Sequence, residues 1–191
     1  MKGIRKILLP WIMIIIFLSI LFILYNRMEE NYLDMGEDAP LPDDLHPLVE
    51  EKKDILLEQA EAIDIDVVIT DKTRSIDEQN ELYEQGRSAS GNIVTNAKGG
   101  ESYHNYGLAI DYALLDNNGD IHWDIQYDGT DSGESDWFEV AELAKDLGFE
   151  WGGDWNRFPD YPHLQMDFGL SIDQLQRGMR PAPEDHDEAD K

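Results

Sequence analysis

The stretch that decides the fold runs Ser102-Tyr103-His104-Asn105-Tyr106-Gly107-Leu108-Ala109-Ile110-Asp111. From Leu108 to Leu115 the chain is apolar apart from Asp111 and Tyr112, and it reads as a strand. Side chains alternate across a strand, so Ala109, Asp111 and Ala113 share one face while Leu108, Ile110 and Leu114 share the other. Small neighbours leave room beside the aspartate, and the large residues opposite make core. A carboxylate in such a place is costly unless it is paired or binds a metal. His104 falls in the loop that enters the strand.

A second stretch, Asp160-Tyr161-Pro162-His163-Leu164-Gln165-Met166, opens a strand expected over 163–168. His163, Gln165 and Asp167 share one face, with Leu164, Met166 and Phe168 on the core face. If the two strands are neighbours, His104, Asp111 and His163 converge. Two imidazoles, one carboxylate and an open position suit catalytic zinc. Asp160 sits three residues before His163, where it can take a proton from the attacking water and pass it to a leaving amine. The same spacings arise by chance in acidic proteins, and Asp160 beside Pro159 also reads as a turn residue. His46 adjoins a helix start, His122 lies in a hairpin strand and His186 in an acidic tail, so these three read as structural or solvated.

Around these stretches an α+β pattern emerges, with helices packed on a mostly antiparallel sheet. Pro47 suits the first turn of a helix carrying Val49, Leu56, Leu57, Ala60 and Ile63. Val67-Val68-Ile69-Thr70 is a β-branched strand. Ser75 followed by Glu78 is a capping box for a helix ending near Gly86. Asp116-Asn117-Asn118-Gly119-Asp120 turns the chain into Ile121-His122-Trp123. A further helix starts near Asp136 and carries Val140, Leu143, Ala144 and Leu147 before Gly148.

The bulk properties narrow the function. The chain has 191 residues and no cysteine, which excludes a disulfide scaffold, a thiolate zinc site and a cysteine nucleophile. Its formal net charge is −26, from 41 acidic and 15 basic residues, so nucleic-acid phosphates would repel it and no nucleic-acid partner is expected. Residues 7–25 carry no charge and follow Lys2, Arg5 and Lys6. They read as a single transmembrane anchor with the rest of the chain exported. The expected domains are a cytoplasmic tip and anchor over 1–25, an acidic stalk over 26–45, a peptidase domain over 46–175 and an acidic, disordered tail over 176–191. Oligomeric state is not legible.

The pattern Ser-x-His-x-x-Gly-x-Ala-x-Asp, followed about fifty residues later by an acid-x-x-His, resembles the zinc D,D-carboxypeptidase family of VanY and VanX type. It is most similar to the L-alanyl-D-glutamate peptidase branch of that family. Further likeness lies in residues 65–70, in Gly91-Asn92-Ile93-Val94-Thr95, in Gly99-Gly100-Glu101-Ser102 and in Gly148-Phe149-Glu150-Trp151-Gly152-Gly153-Asp154-Trp155. The resemblance implies a hedgehog and D,D-peptidase-like fold, zinc held by His104, Asp111 and His163, and Asp160 as general base. It implies that Arg74 steadies the oxyanion and that Ser102 binds substrate or orients the first ligand. By position alone, Arg74 also reads as a surface residue, and Ser102 as a cap or turn residue. Trp151 and Trp155 flank Gly152-Gly153-Asp154. Trp151 is the substrate-binding candidate of the two, since aromatics line concave sites, although tryptophans beside glycines also serve in packing.

The implied activity is hydrolysis of peptidoglycan stem peptides outside the cell membrane, at the L-alanyl-D-glutamate bond. The alternatives are a D-alanyl-D-alanine carboxypeptidase, a zinc-containing module that binds wall peptides without cutting them, and a tethered acidic interaction protein whose histidines are incidental.

Overall fold

Val67–Asp71 (β2) and Ala109–Leu115 (β3) pair antiparallel at the heart of a five-stranded sheet. The structure, a computed structural model, describes residues 11–22, 32–116 and 118–183. The sheet order is β2-β3-β6-β5, where Glu150–Trp151 is β5 and His163–Gln165 is β6, and Ile121–His122 (β4) pairs with the end of β3 at Leu114 and Leu115, on the edge opposite β2. Every pairing is antiparallel. The expected α+β class with an antiparallel sheet therefore holds.

Three helices begin with side-chain caps, of which the Ser75–Glu78 box was expected from the sequence. His46 caps Pro47–Glu61 (α1), its Nδ1 accepting from the Leu48 amide with proline in the first turn. Ser75 and Glu78 form a reciprocal capping box on Ile76–Glu84 (α2). Ser135 caps Asp136–Asp146 (α3) through the Trp137 amide. Helices α1 and α3 pack together over one face of the sheet, where Val49, Leu56, Trp137 and Val140 meet Ile110, Tyr112 and Leu114 of β3. These side chains are almost wholly buried, and each large aliphatic one contributes about 1.5–3 kcal/mol. A smaller core joins Tyr106 and Leu108 to Leu170 and to Leu175 of the short helix Ile172–Gln176 (α4).

Residues 32–34 (β1) pair with Met179–Pro181 (β7) in a separate two-stranded ribbon. One strand comes from the segment expected as a stalk and the other from the segment expected as a tail. The Tyr32 hydroxyl donates to the Phe168 carbonyl at 2.9 Å, tying this ribbon to the domain.

The transmembrane helix expected over residues 7–25 is corrected. Among the described residues no helix is long and apolar enough to cross a membrane. Residues 11–22 are helical. The flanks 7–10 and 23–25, together with residues 184–191 of the expected tail, lie outside the described residues.

Candidate metal centre and cleft

His104 is delivered by a 3-10 turn, Tyr103–Tyr106, which stops at Gly107 in the left-handed region with φ of 66°. A Cβ there would lie 2.5 Å from the Asp44 carbonyl, so only glycine lets the turn close against the chain before α1. The turn is fastened to the connection between β2 and α2. The Arg74 amide donates to the His104 carbonyl, and the buried Asn105 amide donates to the carbonyls of Arg74 and Ser75.

Asp111 on β3 stands directly opposite His163 on β6. That register brings the three predicted residues together. His104 Nε2 lies 3.1 Å from Asp111 Oδ1 and 3.2 Å from His163 Nδ1, and His163 Nδ1 lies 3.3 Å from the same carboxylate oxygen. Both imidazoles are buried, and Asp111 is largely so.

The donor set fits a zinc ion. Ligands held at 2.0–2.1 Å around a tetrahedral centre sit about 3.3 Å apart, which matches all three separations. His104 Nδ1 lies 2.6 Å from the Lys72 carbonyl, an acceptor only, so the ring proton is there and Nε2 keeps its lone pair. Electron pairs crowded this closely repel unless a cation or a shared proton joins them. In the metal-free cluster burial would lift the Asp111 pKa, but hydrogen bonds from, and charges on, the protonated histidines hold it well below the usual carboxylate range. Burial lowers the His163 pKa, and for its protonated ring the bond to Asp111 and the charge of that carboxylate more than reverse this, leaving it raised.

Asp160 lies on the loop before β6. The loop approaches Gly152 so closely that a Cβ there would fall 2.5 Å from the Asp160 carbonyl. Burial, then the charge of Asp111, raise the Asp160 pKa, while His163, His104 and Arg74 oppose the rise. A carboxyl poised above its ordinary value beside a donor cluster is suited to proton transfer.

Arg74 is nearly buried and heavily engaged. Its Nε and Nη2 donate to Asp71 Oδ2 at 3.0 and 2.6 Å, Nη1 to Gln79 Oε1 at 2.7 Å, and Nη2 to Asp111 Oδ2 at 3.3 Å. It therefore braces the carboxylate of the cluster from behind, with one Nη1 hydrogen left without a protein partner among the described residues.

Asp160, His163, Ser102 and Gln165 line one cleft of about 410 Å³ together with Thr95, Glu101, Tyr103, Trp155 and Phe158. Ser102 precedes the 3-10 turn, and its hydroxyl makes no hydrogen bond among the described residues. Trp151 is not part of this wall. It is buried in the core, its Nε1 donating to the Tyr161 carbonyl at 2.8 Å and its ring packed on Phe138. The half-exposed Trp155 occupies the cleft instead, with its ring 5.1 Å from that of His163. His46 and His122 lie away from the cluster, against Phe168 and Tyr127 respectively.

Sequence reasoning put Gln165 on the face of His163 but gave it no role, and it missed Glu150. His163 Nε2 lies 3.0 Å from Gln165 Oε1, and Gln165 Nε2 donates to Glu150 Oε2 at 2.9 Å. Strand alternation was the available signal for Gln165, whereas Glu150 is placed only by the β5–β6 pairing.

Residues 95–166 match a protein-family description, D-alanyl-D-alanine carboxypeptidase. The chain is 57% identical over 155 residues to the peptidoglycan L-alanyl-D-glutamate endopeptidase CwlK of Bacillus subtilis, covering 81% of this chain and 93% of that protein. It is 32% identical over 124 residues to an L-alanyl-D-glutamate peptidase of a Listeria phage, covering 64% of this chain but only 38% of that protein. The crystal structure of the Serratia marcescens L-Ala D-Glu endopeptidase ChiX overlaps with a TM-score of 0.46 at 22% identity, over 65% of this chain and 81% of that one. By its identity to CwlK over nearly that protein's whole length, this chain belongs to the D-alanyl-D-alanine carboxypeptidase family of metallopeptidases.

Proposed function

We propose that this chain is a zinc-dependent endopeptidase that hydrolyses the L-alanyl-D-glutamate bond of peptidoglycan stem peptides, working on the wall side of the cytoplasmic membrane. The observation that carries the reading is the convergence of His104, Asp111 and His163 beside an open cleft that also holds Asp160. The bond assigned is the one on which both relatives, the CwlK endopeptidase and the phage peptidase, act.

His104 Nε2, His163 Nδ1 and Asp111 Oδ1 would hold the ion. When bound, zinc supplies Lewis-acid polarisation of the scissile carbonyl and makes an attacking water more acidic. Asp160 takes the proton of that water and returns it to the leaving amine. Arg74 holds Asp111 in place, and its remaining Nη1 hydrogen is the one it could offer to the oxyanion. Trp155 and Phe158 supply an apolar wall for the peptide, and Ser102 offers it a hydrogen bond.

The carboxypeptidase alternative would need a group to hold a terminal carboxylate. Among the described residues no lysine or arginine lines the cleft, and Arg74 behind it is committed to Asp71, Gln79 and Asp111, which favours cutting within the stem.

Purified peptidoglycan incubated with the chain, with and without a chelator, tests the proposal. New N-terminal D-glutamate, detected by mass spectrometry, should vanish with chelator and return with added zinc. Free D-alanine as the sole product would move the chain to the carboxypeptidase reading, and no product from a zinc-loaded chain would leave a binding module.

A further inference from the structure

The two histidines of the cluster offer different ring nitrogens, His104 through Nε2 and His163 through Nδ1. Each imidazole has a partner on its other nitrogen, and the nature of that partner dictates where the proton sits. For His104 it is the Lys72 main-chain carbonyl. For His163 it is a side chain that could face either way, because an amide presents a donor at one end and an acceptor at the other.

Glu150 removes the ambiguity. Its carboxylate only accepts, so it takes the NH2 end of Gln165 at 2.9 Å. The carbonyl end, Oε1, is thereby turned to His163 Nε2 at 3.0 Å, and that nitrogen must donate. The proton is held on Nε2 and the lone pair on Nδ1 faces Asp111 and His104. The sheet builds this arrangement. Glu150 stands directly opposite Gln165 across the β5–β6 pairing. On the other side, Ala109 of β3 stands opposite Gln165 and leaves room for the amide. Gln165 is buried, whereas Glu150 sits at the exposed end of the relay.

We propose that Glu150 and Gln165 are positioning residues that lock His163 in the tautomer able to bind a metal through Nδ1. The proposal rests on His163 being a metal ligand. Partners of this kind typically govern metal affinity by about 10–100-fold.

The test uses the full chain loaded with zinc, with affinity measured by competition against a chromophoric chelator and ring protons read by long-range 15N–1H correlation spectra. The wild-type spectrum should show a slowly exchanging proton on His163 Nε2. Q165L should lose that slow exchange and weaken zinc binding about 10–100-fold, with the circular dichroism spectrum unchanged. The double change Q165E/E150Q swaps carboxylate and amide, keeping an acceptor on His163 and a hydrogen bond between the two side chains. It should restore affinity to within a few-fold, which a loss of packing would not explain. Wild-type affinity and an unaltered Nε2 proton in Q165L would overturn the relay alone. A wild-type chain that binds no zinc would overturn the metal reading beneath it.

Discussion

The floor and the rim of the cleft are built on different terms. At the floor, His104 is held by a main-chain carbonyl, His163 by Gln165, and Asp111 by Arg74, which itself rests on Asp71 and Gln79. At the rim, Trp155 and Phe158 are more than a third exposed, and the Ser102 hydroxyl has no bond among the described residues. The floor is organised before any substrate arrives, as chemistry at fixed distances requires. The rim keeps unspent hydrogen-bonding and apolar surface for the substrate. Changes at the floor should therefore act on metal and turnover, and changes at the rim on KM.

The largest effect belongs to the floor. His163→Ala removes one of three donors, and zinc content, measured by atomic absorption, should fall from about one ion per chain toward zero. Turnover should fall to background with it. Zinc retained at full occupancy would mean that the cluster is not the site.

Asp160→Asn separates proton transfer from metal binding. Zinc content should stay intact while kcat falls about 10²–10⁴-fold. Because burial and Asp111 raise the Asp160 pKa in the metal-free chain, its carboxyl there should titrate above the range of an ordinary aspartate. The same shift has a stability consequence in the metal-free chain. A folded pKa above the unfolded one means that the native state binds more protons, so stability is present at low pH and lost as pH rises through the folded pKa. At neutral pH the ionised carboxylate thus destabilises the fold. Asp160→Asn should raise Tm, by about 2–4 °C for each kcal/mol relieved. A kcat equal to the wild type would remove Asp160 from the mechanism.

The same division explains what the sequence could disclose. The strands that carry Asp111 and His163 were legible because alternation and β-branching act locally, and the capping box at Ser75 was legible for the same reason. Convergence of the three donors needed one assumption, that β3 and β6 are neighbours, and their register supplies it. Arg74 was visible as a candidate, but its bracing of Asp111 depends on β2 lying beside β3 with a bulge between Ile69 and Asp71. The ribbon of β1 and β7 joins residues about 145 positions apart with no local signal on either side. The apolar run at the N-terminus was read from hydropathy and length, yet among the described residues no helix is long and apolar enough to cross a membrane.

The tryptophans bring the comparison to two residues four positions apart. Composition around Gly152-Gly153-Asp154 gives both the same claim on the cleft, and only burial separates them. Trp151→Ala should cost about 3–5 kcal/mol of stability by opening a core cavity, seen in denaturant unfolding. Trp155→Ala should leave unfolding within about 0.5 kcal/mol of wild type and raise KM about 3–10-fold through lost aromatic contact. A KM effect from Trp151 without loss of stability would reverse the assignment.

The smallest effect tests whether Ser102 belongs to the rim at all. It precedes a 3-10 turn, where serine commonly caps, but its side chain makes no capping bond and faces the cleft. A hydroxyl kept for substrate contributes nothing to the free fold. Ser102→Ala should therefore leave Tm unchanged and raise KM about 2–10-fold, the value of one hydrogen bond of 0.5–1.5 kcal/mol. If Tm fell with KM unaltered, Ser102 would be part of what holds His104 in place. The boundary between floor and rim would then run one residue closer to solvent.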